Sequence, residues 1–233
     1  MTPRQSSVTE SGARAGRDDE LDALPLFERA YRDIKERILS LELRPGAFVN
    51  ETLLREMTGL GRMPVHQAVH LLQSERLLEI VPRKGILIRP DSLQDILALL
   101  EARCMIEPNV AGLAAERADR TQLAAMRKLL RSSEDLVDQS NRGRFMALDR
   151  AFHHLVAEAS DNRDLVDAQR PLHERSVLIW HLRVWPADGL ALTQDEHTAV
   201  YDAICNRDVA GARDAMRAHL ENLRTRILSG SQR

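Results

Sequence analysis

The chain lacks the features that mark several large protein classes. Only two of its 233 residues are cysteine, Cys104 and Cys205, which is too few for a disulfide framework. No apolar run approaches the roughly 18 residues of a membrane span, and residues 1–22 hold no apolar stretch typical of a leader peptide. The net charge of −2 neither indicates nor excludes a nucleic-acid partner. We therefore expect a cytoplasmic protein with reduced cysteines, no membrane partner and room for two modest domains.

Residues 23–90 contain a closely spaced series of short elements. The polar, aperiodic residues 1–22 before them predict a disordered tail. Helical spacing of apolar residues then predicts three helices, the second capped by Asn50 and the third running from about Arg62 to Glu75. Two β-prone runs joined by residues 82–85 predict a hairpin. Three helices followed by a β-hairpin predict a winged helix-turn-helix DNA-binding domain.

The third predicted helix has the two faces of a DNA-recognition helix. One face is apolar at i, i+3, i+4 and i+7: Val65, Ala68, Val69 and Leu72. The opposite face carries residues at the N-terminal positions that enter the major groove in such domains: Arg62, Met63, His66 and Gln67. The hairpin tip adds groups suited to phosphates or a minor groove: Arg83, Lys84 and Gly85. By spacing alone, an ordinary amphipathic helix with a solvated polar face fits equally well.

Residues 91–233 show helical periodicity throughout. Ser92 and Asp95 have the spacing of a capping box that starts the first helix. The pattern predicts about six helices, with Pro108 kinking or splitting the first and Pro171 interrupting the fourth. The expected fold class is therefore mainly α, an N-terminal winged helix-turn-helix followed by an all-α helical bundle.

Four polar residues fall on the apolar faces of three of these helices. Asp149 and His153 are four residues apart and project from one side of a helix, while His197 and His219 lie in apolar stripes of two later helices. Burial of a carboxylate is costly without a partner, and a divalent metal ion would satisfy all four groups together. The alternative is four separately hydrogen-bonded core residues, which is the better interpretation of any single one. His154 points about 100° away around the helix and is left out.

Residues 26–90 resemble the DNA-binding domain of the GntR family of transcription regulators. The family's Ser-Arg-Thr-Pro-Val-Arg-Glu-Ala segment corresponds to Gly-Arg-Met-Pro-Val-His-Gln-Ala at 61–68, and its Arg-Arg-Gly wing to Arg-Lys-Gly at 83–85. Four positions depart from the family pattern: Gly61, Met63, His66 and Gln67. The resemblance implies binding to double-stranded operator DNA, and the departures leave the operator preference open.

Residues 93–223 resemble the FCD effector domain of the FadR-type subfamily. Metal-containing members use an Asp-x-x-x-His helix and two later histidines, which implies a divalent ion (zinc, nickel or manganese) on four residues: Asp149, His153, His197 and His219. The resemblance also implies a homodimer and a small-molecule effector, commonly an organic acid. Arg103 is then the arginine that grips a carboxylate, although a salt bridge to Glu107 is the alternative. Three further residues are predicted to line the same cavity, or else to pack in the core: His173, Trp180 and His181.

Together these features predict a ligand-responsive transcription repressor or activator, with repression preferred. One rival is a metal-dependent enzyme that activates water at the His/Asp cluster, but the sequence places no separate general base or nucleophile beside it. Another rival is a helical scaffold that binds only protein, which would show no salt-sensitive affinity for DNA.

Overall fold

The computed structural model describes residues 24–138, 142–177 and 189–230 of the chain. These residues form two compact units, which divide the chain between Pro90 and Asp91. Among them, no helix combines the length and apolar character needed to cross a bilayer. The predicted tail at 1–22 lies outside the described residues and stays a prediction.

The first unit contains three helices and a small antiparallel sheet. The helices are α1 (Leu26–Leu39), α2 (Glu51–Thr58) and α3 (Arg62–Ser74), and the strands are β1 (Phe48–Val49), β2 (Leu78–Val81) and β3 (Gly85–Ile88). Strand β3 lies between β1 and β2 and pairs with both of them. The winged helix-turn-helix prediction is confirmed. The sequence did not predict β1, because two residues are too few to show an alternating pattern.

Local signals in the sequence determine where α2 begins and ends. The side chain of Asn50 accepts a hydrogen bond of 2.8 Å from the amide of Leu53, which is the predicted N-cap. Gly59 ends the helix in the left-handed region with φ of 68°. The buried apolar residues of the three helices then form the core of this unit, among them Ile34, Ile38, Leu54, Val65 and Leu72.

The second unit is an all-α bundle, as predicted. Its described helices are α4 (Leu93–Arg117), α5 (Arg120–Asp138), α6 (Arg142–Ala159), α7 (Arg163–Val177), α8 (Gly189–Cys205) and α9 (Val209–Gly230). The capping box at the start of α4 is present, since Ser92 Oγ accepts from the Asp95 amide and the Asp95 carboxylate accepts from the Ser92 amide. Small buried residues of α4 pack against α6, α8 and α9 to form the main core: Val110, Ala111, Ala114, Ala115, Phe152, Val200 and Met216.

The two internal prolines do not interrupt their helices. Pro108 was predicted to kink or split the first helix, and the split is wrong, because α4 is one continuous helix of 25 residues that includes Pro108; the kink stays a prediction. Pro171 likewise lies inside a continuous α7, so the predicted interruption is also wrong. A proline inside a helix costs about 3 kcal/mol. Pro108 is fully buried on the face of α4 that packs on the bundle, and this tertiary packing offsets the local cost.

Candidate DNA interface and metal centre

Helix α3 presents its predicted recognition face to solvent. Its apolar face is fully buried, at Val65, Ala68, Val69 and Leu72. The side chain of Arg62 is 79% exposed and that of His66 is 46% exposed, while Met63 and Gln67 are also exposed. The helix begins after Gly61, so the exposed residues occupy its first two turns. This is the end of a recognition helix that contacts base edges.

A carboxylate from α2 lies against the same face. Glu51 Oε1 is 2.8 Å from His66 Nδ1, and Glu51 Oε2 is 3.9 Å from Arg62 Nε. Glu51 could not be assigned to this face from the sequence, because only the packing of α2 on α3 brings it there. Its carboxylate thus bonds to His66 and lies near the exposed Arg62 at the start of α3.

The turn between β2 and β3 exposes two cations. Arg83 and Lys84 are exposed, and Arg83 adopts a left-handed φ of 65°. Gly85 follows with φ of +111°, and a Cβ at this position would lie 2.7 Å from the carbonyl oxygen of Val49. Glycine is therefore required for β3 to approach β1 so closely, and this approach positions the wing and its two cations.

Three helices of the second unit bring the predicted metal ligands together. Asp149 and His153 come from α6, His197 from α8 and His219 from α9, and each is at most 5% exposed. Donor nitrogens of the three histidines lie within 4.8 Å of one another. His197 Nε2 lies 3.3 Å from His153 Nε2 and 3.4 Å from Asp149 Oδ1.

These separations suit ligands that share one ion. Two nitrogens that are each about 2.1 Å from a tetrahedral ion lie about 3.4 Å apart. One carboxylate with three imidazoles is also a donor set that binds zinc, nickel and manganese well. The residues present therefore fit a divalent metal ion.

Two carboxylates, the buried Glu107 and the partly exposed Glu196, lie against the Nδ1 atoms of two of these imidazoles. Glu107 Oε2 on α4 lies 2.8 Å from His153 Nδ1, and Glu196 Oε2 on α8 lies 2.9 Å from His219 Nδ1. A proton held at each Nδ1 leaves the lone pair of Nε2 directed at the shared centre. Most metal-binding histidines are oriented in this way by an outer carboxylate.

Arginines neutralise both of these outer carboxylates. Arg103 Nε donates to Glu107 Oε1 over 2.5 Å, and both side chains are almost completely buried. Arg226 donates to both oxygens of Glu196, over 2.7 and 2.8 Å. The two ion pairs therefore hold carboxylate charge next to the histidines without leaving it uncompensated.

The pKa values match the needs of a cation site. Burial is the main cause that lowers the pKa of His173 to about 4 and that of His197 well below its usual range. Burial alone would raise the pKa of Glu107, but the charges of Arg103 and His153 hold it well below its ordinary value. Burial also opposes the ionised form of Glu196, and hydrogen bonds from Arg226 and His219 nevertheless lower its pKa to about 2. The lowered pKa values keep His173, His197 and His219 neutral, while the carboxylates of Glu107 and Glu196 are ionised.

The four predicted effector-binding residues do not share one location: Arg103 and His173 lie in the bundle core, and the other two lie outside the described residues. Arg103 is engaged by Glu107 and also donates to Ser176 Oγ over 2.9 Å, so the salt bridge considered as an alternative is the one in the structure. His173 of α7 joins the cluster, with Nε2 3.4 Å from Asp149 Oδ2 and its ring stacked on His153. Trp180 and His181 lie outside the described residues.

The two outer carboxylates were missed as parts of the centre. Glu107 is four residues after Arg103 on one face of α4, a spacing that suggested an ion pair but no link to His153. Glu196 precedes His197 in the chain but is oriented by residues of α9. No local pattern in the sequence reports that contact.

Comparisons with known proteins agree with both units. The family model described as "Bacterial regulatory proteins, gntR family" matches residues 26–88, and the "FCD domain" model matches residues 98–222. The HTH-type transcriptional repressor GlaR of Escherichia coli is 28% identical over 203 residues, covering 82% of this chain and 90% of the relative. The Uxu operon transcriptional regulator of Escherichia coli is 28% identical over 228 residues, covering 88% and 89%.

A solved structure shows the same fold. Escherichia coli McbR/YncC superimposes with a TM-score of 0.79 at 18% identity, covering 88% of this chain and 98% of that one. The FCD match alone spans more than half of the chain, and the DNA-binding match covers the winged helix-turn-helix. The chain is thus a DNA-binding transcriptional regulator rather than an enzyme, and it belongs to the GntR family, with an FCD domain following its helix-turn-helix.

Proposed function

We propose that this regulator is a repressor whose affinity for operator DNA is controlled by a small organic acid bound at a divalent metal ion in the helical unit. The observation that carries the proposal is the convergence of His153, His197 and His219 at one buried point, with Asp149 Oδ1 3.4 Å from His197 Nε2. A bound ion would act as a Lewis acid, and a carboxylate oxygen of the effector would complete its coordination.

The outer carboxylates favour a metal over a set of separate core hydrogen bonds. A buried neutral histidine has one N–H donor and one acceptor nitrogen, and Glu196 satisfies only Nδ1 of His219, which leaves its Nε2 for a further partner. Glu107 at His153 Nδ1 repeats this arrangement on another helix. Two Nε2 atoms that both face the same point, with Asp149 beside them, match the outer-shell pattern of metal sites.

The metal content of purified, untagged protein tests the site directly. Elemental mass spectrometry after stripping and refilling should find about one divalent ion per chain, as expected for one four-ligand centre. His197→Ala removes a donor and should lower the metal affinity at least tenfold. His154→Ala is the matched control, because His154 is an exposed histidine of α6 beside Glu158, and this change should leave the affinity unchanged. Full metal retention by His197→Ala would show that the ligand set is wrong.

Operator binding tests the recognition face. Arg62→Ala should cost about 1–3 kcal/mol of specific affinity if Arg62 contacts a base, and it should leave the fold intact. Arg32→Ala is the control, because it removes another exposed arginine of the same unit, from α1. Unchanged operator affinity in Arg62→Ala, in a gel-shift titration at fixed salt, would contradict the assignment of α3.

Effector control requires a difference in operator affinity between two ligand states. We expect a homodimer, since helix-turn-helix proteins generally read two symmetry-related half-sites. Coupling of this kind is commonly worth about 1–3 kcal/mol. Operator titrations with metal-loaded and metal-stripped protein, each with and without a panel of organic acids, should reveal a shift of that size. The mass of the protein in solution tests the dimer, and a monomer bound to its operator would exclude it.

A further inference from the structure

A groove of about 310 Å³ lies between α6 and α7, and it borders the main core at Ala157 and Val166. Small side chains of α6 leave the space, notably Ala147 and Ala151. Helix α7 supplies the facing wall, with Gln169 and His173 one helical turn apart. A volume of this size suits a small metabolite, since binding pockets for organic ligands start at about 300 Å³.

The deepest side chains of this α6–α7 groove carry polar atoms without hydrogen-bond partners in the described protein. Gln169 is 2% exposed, and its Oε1 has no partner while its Nε2 donates to the carbonyl of His153 over 3.4 Å. His173 is 4% exposed, and its Nδ1 has no hydrogen-bond partner, while its Nε2 has the 3.4 Å contact with Asp149 Oδ2. Buried polar groups in proteins are nearly always hydrogen-bonded. Two such exceptions in one groove therefore indicate a polar ligand.

Only one side chain separates the α6–α7 groove from the candidate metal centre. His173 lines the groove, yet its Nε2 is 3.4 Å from Asp149 Oδ2. Its ring also stacks on that of His153 with centroids 4.2 Å apart. A ligand in the groove would thus contact the side chain that packs on two of the proposed metal ligands.

The mouth of the groove carries one arginine from each helix. Arg150 of α6 and Arg170 of α7 both line it, together with the acidic Glu174. Arg170 also pairs with Asp167 of the same helix. The two guanidinium groups offer the planar forks that bind a carboxylate, so the arginines rather than an excess of positive charge favour an organic anion.

We infer that the α6–α7 groove binds a small organic anion and is the route by which that anion reaches the metal centre past His173. This inference deepens the proposed function and rests on it, because the route has a destination only if the centre holds an ion. Gln169 and His173 form the inner end of the route, and Arg150 and Arg170 form its mouth.

Extraction of zinc by dipicolinate tests the route, because dipicolinate is itself a small dicarboxylate that must reach the ion. Zinc-loaded full-length protein is mixed with increasing dipicolinate, and the rate of zinc loss is followed. The rate should rise with dipicolinate concentration. Ala147 lies at the exposed rim of the groove and Ala151 is less exposed. Ala147→Phe and Ala151→Phe should each slow zinc extraction about tenfold, which corresponds to an activation barrier higher by about 1.4 kcal/mol. Neither variant should change the zinc stoichiometry. Gln169→Ala, which opens the inner end, should accelerate it.

Two controls separate the route from general effects. Ala124→Phe makes the same change at an exposed alanine of α5 that does not line the groove, and it should leave the rate unchanged. Arg170→Gln should slow extraction by dipicolinate but not by the neutral chelator 1,10-phenanthroline.

Each failure has a separate meaning. Wild-type protein that holds no zinc would overturn the metal centre of the proposed function, and the route with it. Protein that holds zinc but loses it at the same rate in the groove variants and in Ala124→Phe would overturn the route alone, as would a wild-type rate that is independent of dipicolinate. An equal effect of Arg170→Gln on both chelators would overturn the preference for anions.

Discussion

The ion pair between Arg103 and Glu107 should respond to mutation in a strongly non-additive way. Both side chains are at most 2% exposed, and two nitrogens of the guanidinium contact the carboxylate. Removal of one member of a buried pair leaves an uncompensated charge and typically costs about 3–5 kcal/mol. Arg103→Met and Glu107→Gln should therefore each lower the free energy of unfolding by about that amount.

The double variant carries neither charge and should be more stable than either single variant. Replacement of a whole buried pair by neutral groups is often close to neutral in stability. Simple addition of the two single effects would instead give a loss of about 6–10 kcal/mol, comparable to the entire stability of many domains. Urea unfolding of the metal-stripped proteins distinguishes these outcomes without a contribution from metal binding.

An exposed pair provides the matched control. Arg217 and Asp214 on α9 lie 2.9 Å apart with side chains 49% and 75% exposed, and the same cycle there should give a coupling of at most about 0.5 kcal/mol. A double variant of Arg103 and Glu107 that is less stable than both single variants would refute the reasoning. It would mean that the charges do not compensate each other in the folded protein.

Two predictions concern the DNA-binding unit. Gly85→Ala should destabilise the wing by about 1–3 kcal/mol, because φ is +111° and the new Cβ would meet the Val49 carbonyl. Gly59→Ala is the control, since Gly59 also has a positive φ but has open space around it, and this change should cost about 1 kcal/mol. Equal losses of stability for the two variants in thermal unfolding would contradict this account. Burial and the hydrogen bond to Glu75 raise the pKa of Tyr31 to about 12. The folded state therefore keeps a proton on Tyr31 that the unfolded state loses above its ordinary pKa of 10.0. The free energy of unfolding should consequently fall as the pH rises above 10. Tyr31→Phe should remove much of this pH dependence when unfolding is measured by urea titration at alkaline pH.

Periodicity in the sequence was sufficient to predict the helices and their buried faces. The stripe from Val65 to Leu72 and the capping box at Ser92 are both local patterns, and both are present in the structure. The effect of the two prolines on their helices was predicted wrongly, because it does not depend on local pattern alone. Their local cost is visible in the sequence, whereas the packing that offsets it depends on helices far away in the chain.

The candidate centre shows the same limit. Asp149 and His153 could be paired from a spacing of four residues, and the other donors from their place in apolar stripes. Glu107, Glu196 and Glu51 could not be assigned to their partners, because each contacts a residue on another helix. Contacts of this kind depend on how two helices pack and not on the spacing within either of them.

The hydrogen bonds and ion pairs between α9 and Glu196 have a consequence for how a ligand would bind at the proposed centre. Arg226 holds both oxygens of Glu196, and Asn222 donates to one of them over 3.0 Å, while His219 contacts the other. These contacts are made by protein groups alone, so they stabilise the register of α8 against α9 as part of folding, at the conformational-entropy cost that folding carries. A ligand bound at the proposed centre would then spend little of its free energy on ordering these two helices. Loss of that ligand should therefore leave the packing of α8 on α9 in place.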